Sequence, residues 1–224
     1  MSSPDLHLST LFVLDGAGRI TSTREPGAGR GPLFSLVRSA TRTVWAVRAN
    51  VPEDLAGELD RLVREEPPAS DLRSAPVHAD RYVSVLGGRI EFGPAFAFPP
   101  DGERLSDVVV VEDERLLERN FRGWVPGEIA AGRSPVLAVV EDGVPVSVCF
   151  YARRSDVAAE AGLETAEAFR GRGFGPRVTA AWALSIRASR RVPLYSTSWT
   201  HHASLAVARK LGLVAYASHW RLLD

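Results

Sequence analysis

The stretch Arg170-Gly171-Arg172-Gly173-Phe174-Gly175 places three glycines and two arginines between a strand-like run, residues 159–166, and a helix-like run, residues 174–189. Glycines let the chain adopt positive φ angles and let a ligand approach the backbone closely. The N–H groups at the start of a helix attract anions, and guanidinium groups, here with Arg177 added, suit phosphate oxygens. The stretch therefore predicts an anion site, and a pyrophosphate is the anion that we expect there.

The spacing of these glycines excludes two common phosphate loops. A Walker-type loop needs Gly-Lys followed by Ser or Thr, and the only lysine of the chain is Lys210. A dinucleotide fingerprint needs a third glycine, but Pro176-Arg177-Val178 follows Gly175. The pattern that fits is (Arg or Gln)-x-x-Gly-x-(Gly or Ala), which Arg170, Gly173 and Gly175 satisfy. This run resembles the acetyl-CoA pyrophosphate loop of the GNAT N-acetyltransferase superfamily.

The elements predicted around the loop also resemble the GNAT order, which is hairpin, strand, phosphate loop, helix, strand, helix and strand. The end of the second helix, Lys210-Leu211-Gly212, is similar to the Lys-Leu-Gly-Phe end of the last GNAT helix. The matching elements are a hairpin over 136–151, the strand 159–166, the helix 174–189, the strand 192–199, the helix 201–213 and the strand 214–222. The resemblance covers residues 105–224, roughly half of the chain.

We therefore expect an α/β (α+β) fold with a GNAT-like mixed, mostly antiparallel sheet whose central strands splay apart. Residues 101–224 would form the GNAT acetyltransferase domain, and residues 1–100 an extra N-terminal α/β region of unknown role. The run Pro99-Pro100-Asp101-Gly102 marks the expected boundary. The N-terminal patterns predict a strand pair over 10–23, a strand over 43–48, a helix from Val51 to near Pro67 and a hairpin over 82–92.

The resemblance implies acetyl-CoA as the cosubstrate and no metal. The loop would bind the pyrophosphate, and the strand before it would bind the pantetheine arm through its backbone. The cofactor-binding residues implied in this way are Leu163, Thr165, Arg170, Gly171, Arg172, Gly173, Phe174, Gly175, His201 and Ser204. His201 stands where the family usually has asparagine, so a pantetheine contact and an exposed helix turn are both open for it. Ser204 fits either a contact near the sulfur or simple packing.

Two glutamates are candidates for the catalytic base. An amine that attacks a thioester must first lose a proton, and Glu160 and Glu164 share one face of the strand 159–166. A carboxylate buried there would have a raised pKa, so we predict that one of them accepts the proton, directly or through water. The competing interpretation is that each is a solvated or ion-paired residue of the strand.

The resemblance leaves the catalytic acid unassigned. Many GNAT enzymes carry a tyrosine in the last helix, seven residues after the asparagine, and that position here is Ala208. The alternatives are that Tyr195, Tyr151 or water protonates the departing thiolate, that the thiolate leaves unassisted, or that the protein turns over poorly.

Composition narrows the class of protein. The 224 residues carry no formal net charge, so there is no global basic footprint for nucleic acid. The single cysteine, Cys149, excludes an internal disulfide framework, suits a reducing cytoplasm and is expected to be a buried apolar residue. No apolar run approaches the length of about 18 residues that a membrane span needs. We therefore expect a cytoplasmic protein without membrane or nucleic-acid partners, and the resemblance allows a homodimer.

Two functions of different class follow from these residues. The first is an acetyl-CoA-dependent N-acetyltransferase that moves an acetyl group to a primary amine of a small molecule or peptide by direct attack. The alternative is a catalytically weak acyl-CoA-binding regulatory module, which the missing helix tyrosine and the replaced asparagine favour. The sequence does not identify the acceptor amine, because analogy at the level of the fold does not select one.

Overall fold

The structure, a computed structural model, describes residues 2–27, 29–100 and 107–224. Five α-helices and eleven strands lie in this part of the chain. The helices are α1 (Pro4–Leu11), α2 (Glu53–Arg64), α3 (Ala79–Leu86), α4 (Phe174–Ala188) and α5 (His202–Lys210). The strands are β1 (Phe12–Leu14), β2 (Ile20–Thr23), β3 (Phe34–Arg38), β4 (Thr43–Val47), β5 (Arg89–Ala97), β6 (Val108–Val110), β7 (Leu137–Glu141), β8 (Val144–Arg154), β9 (Ala158–Thr165), β10 (Val192–Ser196) and β11 (Val214–Leu223).

Nine strands form one mixed sheet in the order β4-β3-β11-β5-β10-β9-β8-β7-β6, and β1 pairs with β2 separately. Within the described residues, every neighbouring pair of the large sheet is antiparallel except β9 and β10, which run parallel. The hairpin of β7 and β8 turns at Asp142 and Gly143, whose φ angles of 49° and 77° suit a tight hairpin turn. The expected mixed, mostly antiparallel sheet is confirmed.

Strand β5 joins the two halves of the chain within this sheet. Its residues 89–97 pair with β11 on one side, and its residues 95–97 pair with β10 on the other. A strand from the first hundred residues therefore lies between two strands that come from the second half. The division into two parts at residue 100 stays a prediction, and Asp101 and Gly102 of the expected boundary lie outside the described residues.

Helices cover both faces of the sheet. On one face, α2 and α3 pack over Trp220, and α4 buries Trp182 against Ala159 of β9. On the opposite face, α1 buries Leu11 beside Val37 of β3. Because successive residues of a strand point to opposite faces, β9 presents Ala159 to α4 and Glu160 to the side of α1.

Helix α1 is an element that the sequence patterns above do not predict, and the strand expected from residue 10 begins only at Phe12. Ser3 is the N-cap of α1, because its side chain accepts a hydrogen bond of 3.2 Å from the Leu6 N–H. Pro4 follows in the first turn, a position where proline is favoured. The run Ser3-Pro4-Asp5 is the sequence signal that identifies this helix start.

The predicted strand over residues 82–86 is wrong, because these residues form the second half of α3. The ring of Tyr82 is buried with its centroid 5.0 Å from that of Phe34 and 5.7 Å from that of Trp220. The Tyr82 hydroxyl donates a 3.0 Å hydrogen bond to Glu66 Oε1. These tertiary contacts outweigh the β propensity of the segment. Gly87, with a φ of 66°, ends the helix.

Substitution of Gly93 tests the close contact between β5 and the segment that follows β10. A Cβ atom at Gly93 would overlap the backbone oxygen of Thr197, whereas a Cβ atom at Gly57 in the middle of α2 meets nothing within 4 Å. We predict that Gly93→Ala lowers the free energy of unfolding by more than about 2 kcal/mol. The control, Gly57→Ala, should raise it by about 0.5–1 kcal/mol. Urea denaturation measures both, and an unchanged midpoint for Gly93→Ala would contradict the contact.

Candidate functional site

The candidate site is a cleft where β9 and β10 separate. The two parallel strands pair over three residues, and their last pair is Leu194↔Glu160. Beyond it, β9 continues to Thr165 and β10 to Ser196 without further pairing between them. A cleft of about 540 Å³ opens between the separated ends. Its walls are the end of β9, the glycine loop, the first turn of α4, the side chain of Tyr195 and one face of α5. The expected splay of the central strands is therefore present.

A row of backbone amides lies at one end of this cleft. The N–H groups of Gly171, Arg172, Gly173, Phe174 and Gly175 have no hydrogen-bond partner among the described residues. Gly171 and Gly173 have φ angles of 80° and 86°, which other residues rarely adopt. Helix α4 starts here, so its dipole adds partial positive charge to the same place. Consecutive unpartnered donors at a helix start form an anion site.

Gly175 keeps the cleft open where three elements meet. A Cβ atom at this position would lie 3.5 Å from Thr165 Oγ1, 3.6 Å from Leu163 Cδ2 and 3.6 Å from Val207 Cγ2. The first two atoms belong to β9 and the third to α5. A larger side chain on the first turn of α4 would therefore fill the space between these two elements.

The two arginines of the loop are placed differently. Arg170 lines the cleft, and its Nε donates a 3.2 Å hydrogen bond to the carbonyl oxygen of Thr165. Arg172 is not among the residues that line the cleft. Its guanidinium group donates a 3.3 Å hydrogen bond to the Ala168 carbonyl oxygen and lies 4.9 Å from the centroid of the Phe169 ring. Arg170 is therefore the loop arginine that faces a ligand in the cleft.

A lysine, rather than Arg177, provides the second fixed positive charge of the cleft. Arg177 forms an ion pair with Asp107 and is not part of the lining. Lys210, at the end of α5, does line the cleft. Residues 203, 206, 207 and 210 all face the cleft, at the i, i+3, i+4, i+7 spacing of one helix face. This spacing is present in the sequence, and it is the signal that adds Lys210 and Val207 to the predicted site.

Most of the predicted site residues come together in this cleft. Glu160 and Arg172 are the two that do not line it. Those that do are Leu163, Glu164, Thr165, Arg170, Gly171, Gly173, Phe174, Gly175, His201 and Ser204. The roles assigned to them stay predictions.

Glu164 is the one carboxylate among the described residues that line the cleft. The Glu164 side chain is exposed, and partial desolvation of its carboxyl raises the pKa above the ordinary value, whereas the nearby charge of Arg170 opposes that rise. A carboxylate with a raised pKa in a cleft is better suited to accept a proton near neutral pH than a fully solvated one.

Glu160 lies on the same face of β9 as Glu164, the face toward α1, but it is buried and does not line the cleft. Arg153 Nη1 donates a 2.6 Å hydrogen bond to it, and the Ser196 hydroxyl donates to it from β10. Burial alone would raise the pKa of Glu160, but the Arg153 charge and the Ser196 hydrogen bond contribute to a net lowering. Glu160 is therefore an ionised, paired carboxylate that links β9 to β10 where they separate. This pairing does not favour a catalytic role for Glu160, and that role stays a prediction.

The start of α5 faces the cleft beside Tyr195. Tyr195 Oη lies 2.6 Å from Ser204 Oγ, and burial raises the pKa of Tyr195 to about 12. His201 is exposed, and its Nδ1 lies 3.4 Å from Thr197 Oγ1. Ser204 and His201, which directly precedes α5, can therefore contact a ligand that extends along β9.

Three further features of the structure concern the cysteine, metal-binding groups and membrane-spanning helices. Cys149 is fully buried, which confirms the prediction, and burial raises the pKa of its thiol. Among the described residues, no group of three His, Cys, Asp or Glu side chains is placed to hold a metal ion. In the same part of the chain, no helix combines the length and the apolar character that crossing a membrane requires.

Solved structures share this arrangement of strands and helices. A protein assigned to the GNAT acetyltransferase family from Novosphingobium aromaticivorans aligns with a TM-score of 0.51 over 60% of this chain and 64% of that chain, at 20% identity. A tandem GNAT protein from the clavulanic acid biosynthesis pathway aligns with a TM-score of 0.50 over 97% and 93% of the two chains, at 12% identity. The present chain has the GNAT fold.

The extent of the likeness differs between the solved structures. The chain spans less than two thirds of the Novosphingobium protein, whereas the match to the tandem GNAT protein includes the N-terminal region. A functionally unknown conserved protein from Staphylococcus epidermidis aligns with a TM-score of 0.55 over 98% of this chain and 96% of that chain, at 12% identity. No protein-family model and no curated protein sequence matches the chain. At these identities the comparisons show the GNAT fold alone.

One substitution tests the glycine loop of this GNAT fold. Gly173 lines the cleft at a positive φ, so Gly173→Val both distorts the row of amides and places a branched side chain where the ligand would lie. We predict that the Kd for acetyl-CoA, measured by titration calorimetry, rises roughly 100-fold, as expected for the loss of charge-assisted hydrogen bonds.

The matched control is Gly143→Val in the turn between β7 and β8. Gly143 has a similar φ of 77° and lies outside the cleft lining, so this variant introduces comparable strain without blocking the ligand. Its affinity for acetyl-CoA should be unchanged. A Gly173→Val protein that binds as tightly as the control would show that the loop is not the phosphate site.

Proposed function

We propose that this protein is an acetyl-CoA-dependent N-acetyltransferase that moves an acetyl group to a primary amine of a small molecule or peptide by direct attack. The observation that carries the proposal is the row of unpartnered amides at the start of α4, which opens onto the cleft between β9 and β10. An anion site directly beside an unpaired strand edge suits a ligand that has a pyrophosphate and an extended amide-bearing arm.

The residues of the cleft fit acetyl-CoA along its length, and acetyl-CoA would supply the activated acetyl group. The amides of residues 171–175 and the guanidinium group of Arg170 would hold the pyrophosphate, with Lys210 as a further cation. On the side of β10, β9 has no strand partner beyond Glu160 among the described residues. The backbone of Leu163 and Thr165 would therefore bond the pantetheine arm.

The strand edge and Glu164 would assist the attack of the amine. An unpaired N–H of β9 would donate to the oxygen on which negative charge develops when the amine adds to the thioester carbonyl. Glu164 would accept the proton that the amine loses, directly or through water, because it is the one carboxylate among the described residues that line the cleft. Its raised pKa makes it a stronger base than an ordinary glutamate.

The alternative function is a catalytically weak acyl-CoA-binding regulatory module. It is favoured by Ala208, which stands where many GNAT enzymes have a tyrosine, and by His201 in place of asparagine. Both functions use the same loop, so binding of acetyl-CoA does not separate them.

Amine-dependent release of free CoA thiol separates the two functions. The unmodified protein should release thiol from acetyl-CoA with at least one class of amine in a panel of polyamines, aminoglycosides, amino acids and peptides with free N-termini. Binding of acetyl-CoA without thiol release across the panel would favour the regulatory module. Absence of binding would exclude both.

Glu164→Gln tests the proposed base. The variant keeps the size of the side chain but removes the proton acceptor, so we predict that kcat falls about 100-fold while the Kd for acetyl-CoA is unchanged. The unmodified enzyme should lose activity as the pH falls through the raised pKa of Glu164, because the protonated carboxyl no longer accepts a proton. The midpoint of this acidic limb should lie above the ordinary glutamate value of about 4.3.

The matched control is Glu167→Gln, which makes the same change of charge three residues further along, on an exposed residue outside the cleft lining. It should leave both kcat and the pH profile unchanged. An unaltered kcat in Glu164→Gln would exclude Glu164 as the base.

A further inference from the structure

Tyr195 lies at the point where the two strands of the cleft separate. It directly follows Leu194, the last residue of β10 that pairs with β9. Its ring is buried, at 3% exposure, and its side chain lines the cleft. The phosphate-binding end of the cleft lies at the other end of the unpaired part of β9, next to Thr165. A ligand held by the glycine loop and extended along β9 therefore brings its reactive end toward Tyr195.

Tyr195 belongs to the same buried cluster as the α5 position at which the family's tyrosine is absent. Tyr195 and Ala208 pack together in one buried cluster with Phe96, and Ala208 is only 1% exposed. Because Ala208 is buried in this cluster, a packed interior leaves no free room there for the extra atoms of a tyrosine. The small side chain of Ala208 on α5 therefore complements the large ring of Tyr195 on β10.

The other tyrosines of the chain are placed elsewhere. The Tyr151 ring packs edge-to-face on Trp182 in the core under α4, with centroids 6.0 Å apart, and it does not line the cleft. The Tyr216 hydroxyl lies 3.2 Å from His7 Nδ1 on the opposite face of the sheet. The Tyr82 hydroxyl donates to Glu66 between α2 and α3. All four tyrosines of the chain lie within the described residues, and Tyr195 is the one that lines the cleft.

We propose that Tyr195 is the acid that protonates the departing thiolate, and that Ser204 positions its hydroxyl. This inference rests on the proposed acetyltransferase function. The amine nitrogen forms a bond to the thioester carbonyl carbon, and the carbon–sulfur bond breaks with its electron pair passing to sulfur. Sulfur takes the proton of Tyr195 Oη, and the proton lost by the amine passes to Glu164. Proton exchange with water then restores the phenol and the carboxylate for the next turnover.

The surroundings of Tyr195 suit this role. Burial raises the pKa of Tyr195 to about 12, so the phenol holds its proton throughout the neutral range. The same desolvation raises the pKa of a thiol in the cleft, which makes the buried thiolate a stronger proton acceptor than it is in water. Ser204 Oγ, 2.6 Å from Tyr195 Oη, can donate to the phenol oxygen and so stabilise the negative charge left after proton transfer.

The test is Tyr195→Phe, which removes one hydroxyl and retains the buried ring. We expect kcat for amine-dependent thiol release to fall about 100-fold, with the Kd for acetyl-CoA within about twofold of the unmodified protein. Ser204→Ala should lower kcat by a smaller factor, about 10-fold, because the phenol remains but loses its partner. The matched control, Tyr151→Phe, removes the same hydroxyl from a tyrosine outside the cleft and should leave kcat unchanged.

The outcomes distinguish failure of this inference from failure of the proposed function. If the unmodified protein releases thiol and Tyr195→Phe does so at the same rate, the acid role is wrong and the acetyltransferase function stands. A loss of kcat in Tyr151→Phe instead would also overturn the role of Tyr195. A parallel loss of acetyl-CoA affinity in Tyr195→Phe would assign this residue to binding rather than to proton transfer. Absence of thiol release by the unmodified protein across the amine panel would overturn both proposals.

Discussion

The separation of β9 from β10 after the pair Leu194↔Glu160 is the constraint on which the rest of the structure depends. An unpaired strand edge inside a fold is unfavourable unless a ligand or water bonds its N–H and C=O groups. Here the edge borders a cleft whose far end carries the unpartnered amides of residues 171–175. Both sets of backbone groups border the same cleft, so a single extended ligand can bond to both.

The geometry of the splay depends on contacts from both halves of the chain. Outside the cleft lining, where the two strands begin to separate, Glu160 accepts hydrogen bonds from Ser196 and Arg153, and Arg153 also pairs with Glu25 from the N-terminal half. A buried ion pair contributes little net stability but can favour one arrangement over others, and here it holds the strands together where they begin to separate. Strand β5 pairs with β10 on its other side. The first hundred residues therefore help to fix the shape of the cleft.

The sequence predicts the C-terminal fold and the cleft well because its signals are local. Glycine spacing, the Asp142-Gly143 turn and the helical period of residues 174–188 each determine the structure of a short segment. Prediction from the sequence fails where contacts between distant parts of the chain determine the structure of a segment. Tyr82 lies in a helix because Phe34 and Trp220 surround its ring, and no local pattern shows this. The insertion of β5 between β10 and β11 and the pairing of Glu160 with Arg153 likewise depend on strand neighbours that only the folded chain brings together.

An NMR titration with acetyl-CoA tests most directly whether the unpartnered amides bind phosphate. In a nitrogen-15 spectrum of the full chain, the amide signals of Gly171, Gly173 and Gly175 should shift downfield and saturate, because hydrogen bonds to phosphate oxygens deshield the amide protons. The signals of Gly57 and Gly143, which lie outside the cleft lining, should not move. If the loop amides keep their positions at saturating acetyl-CoA, the glycine loop is not a phosphate site and the proposed function is wrong.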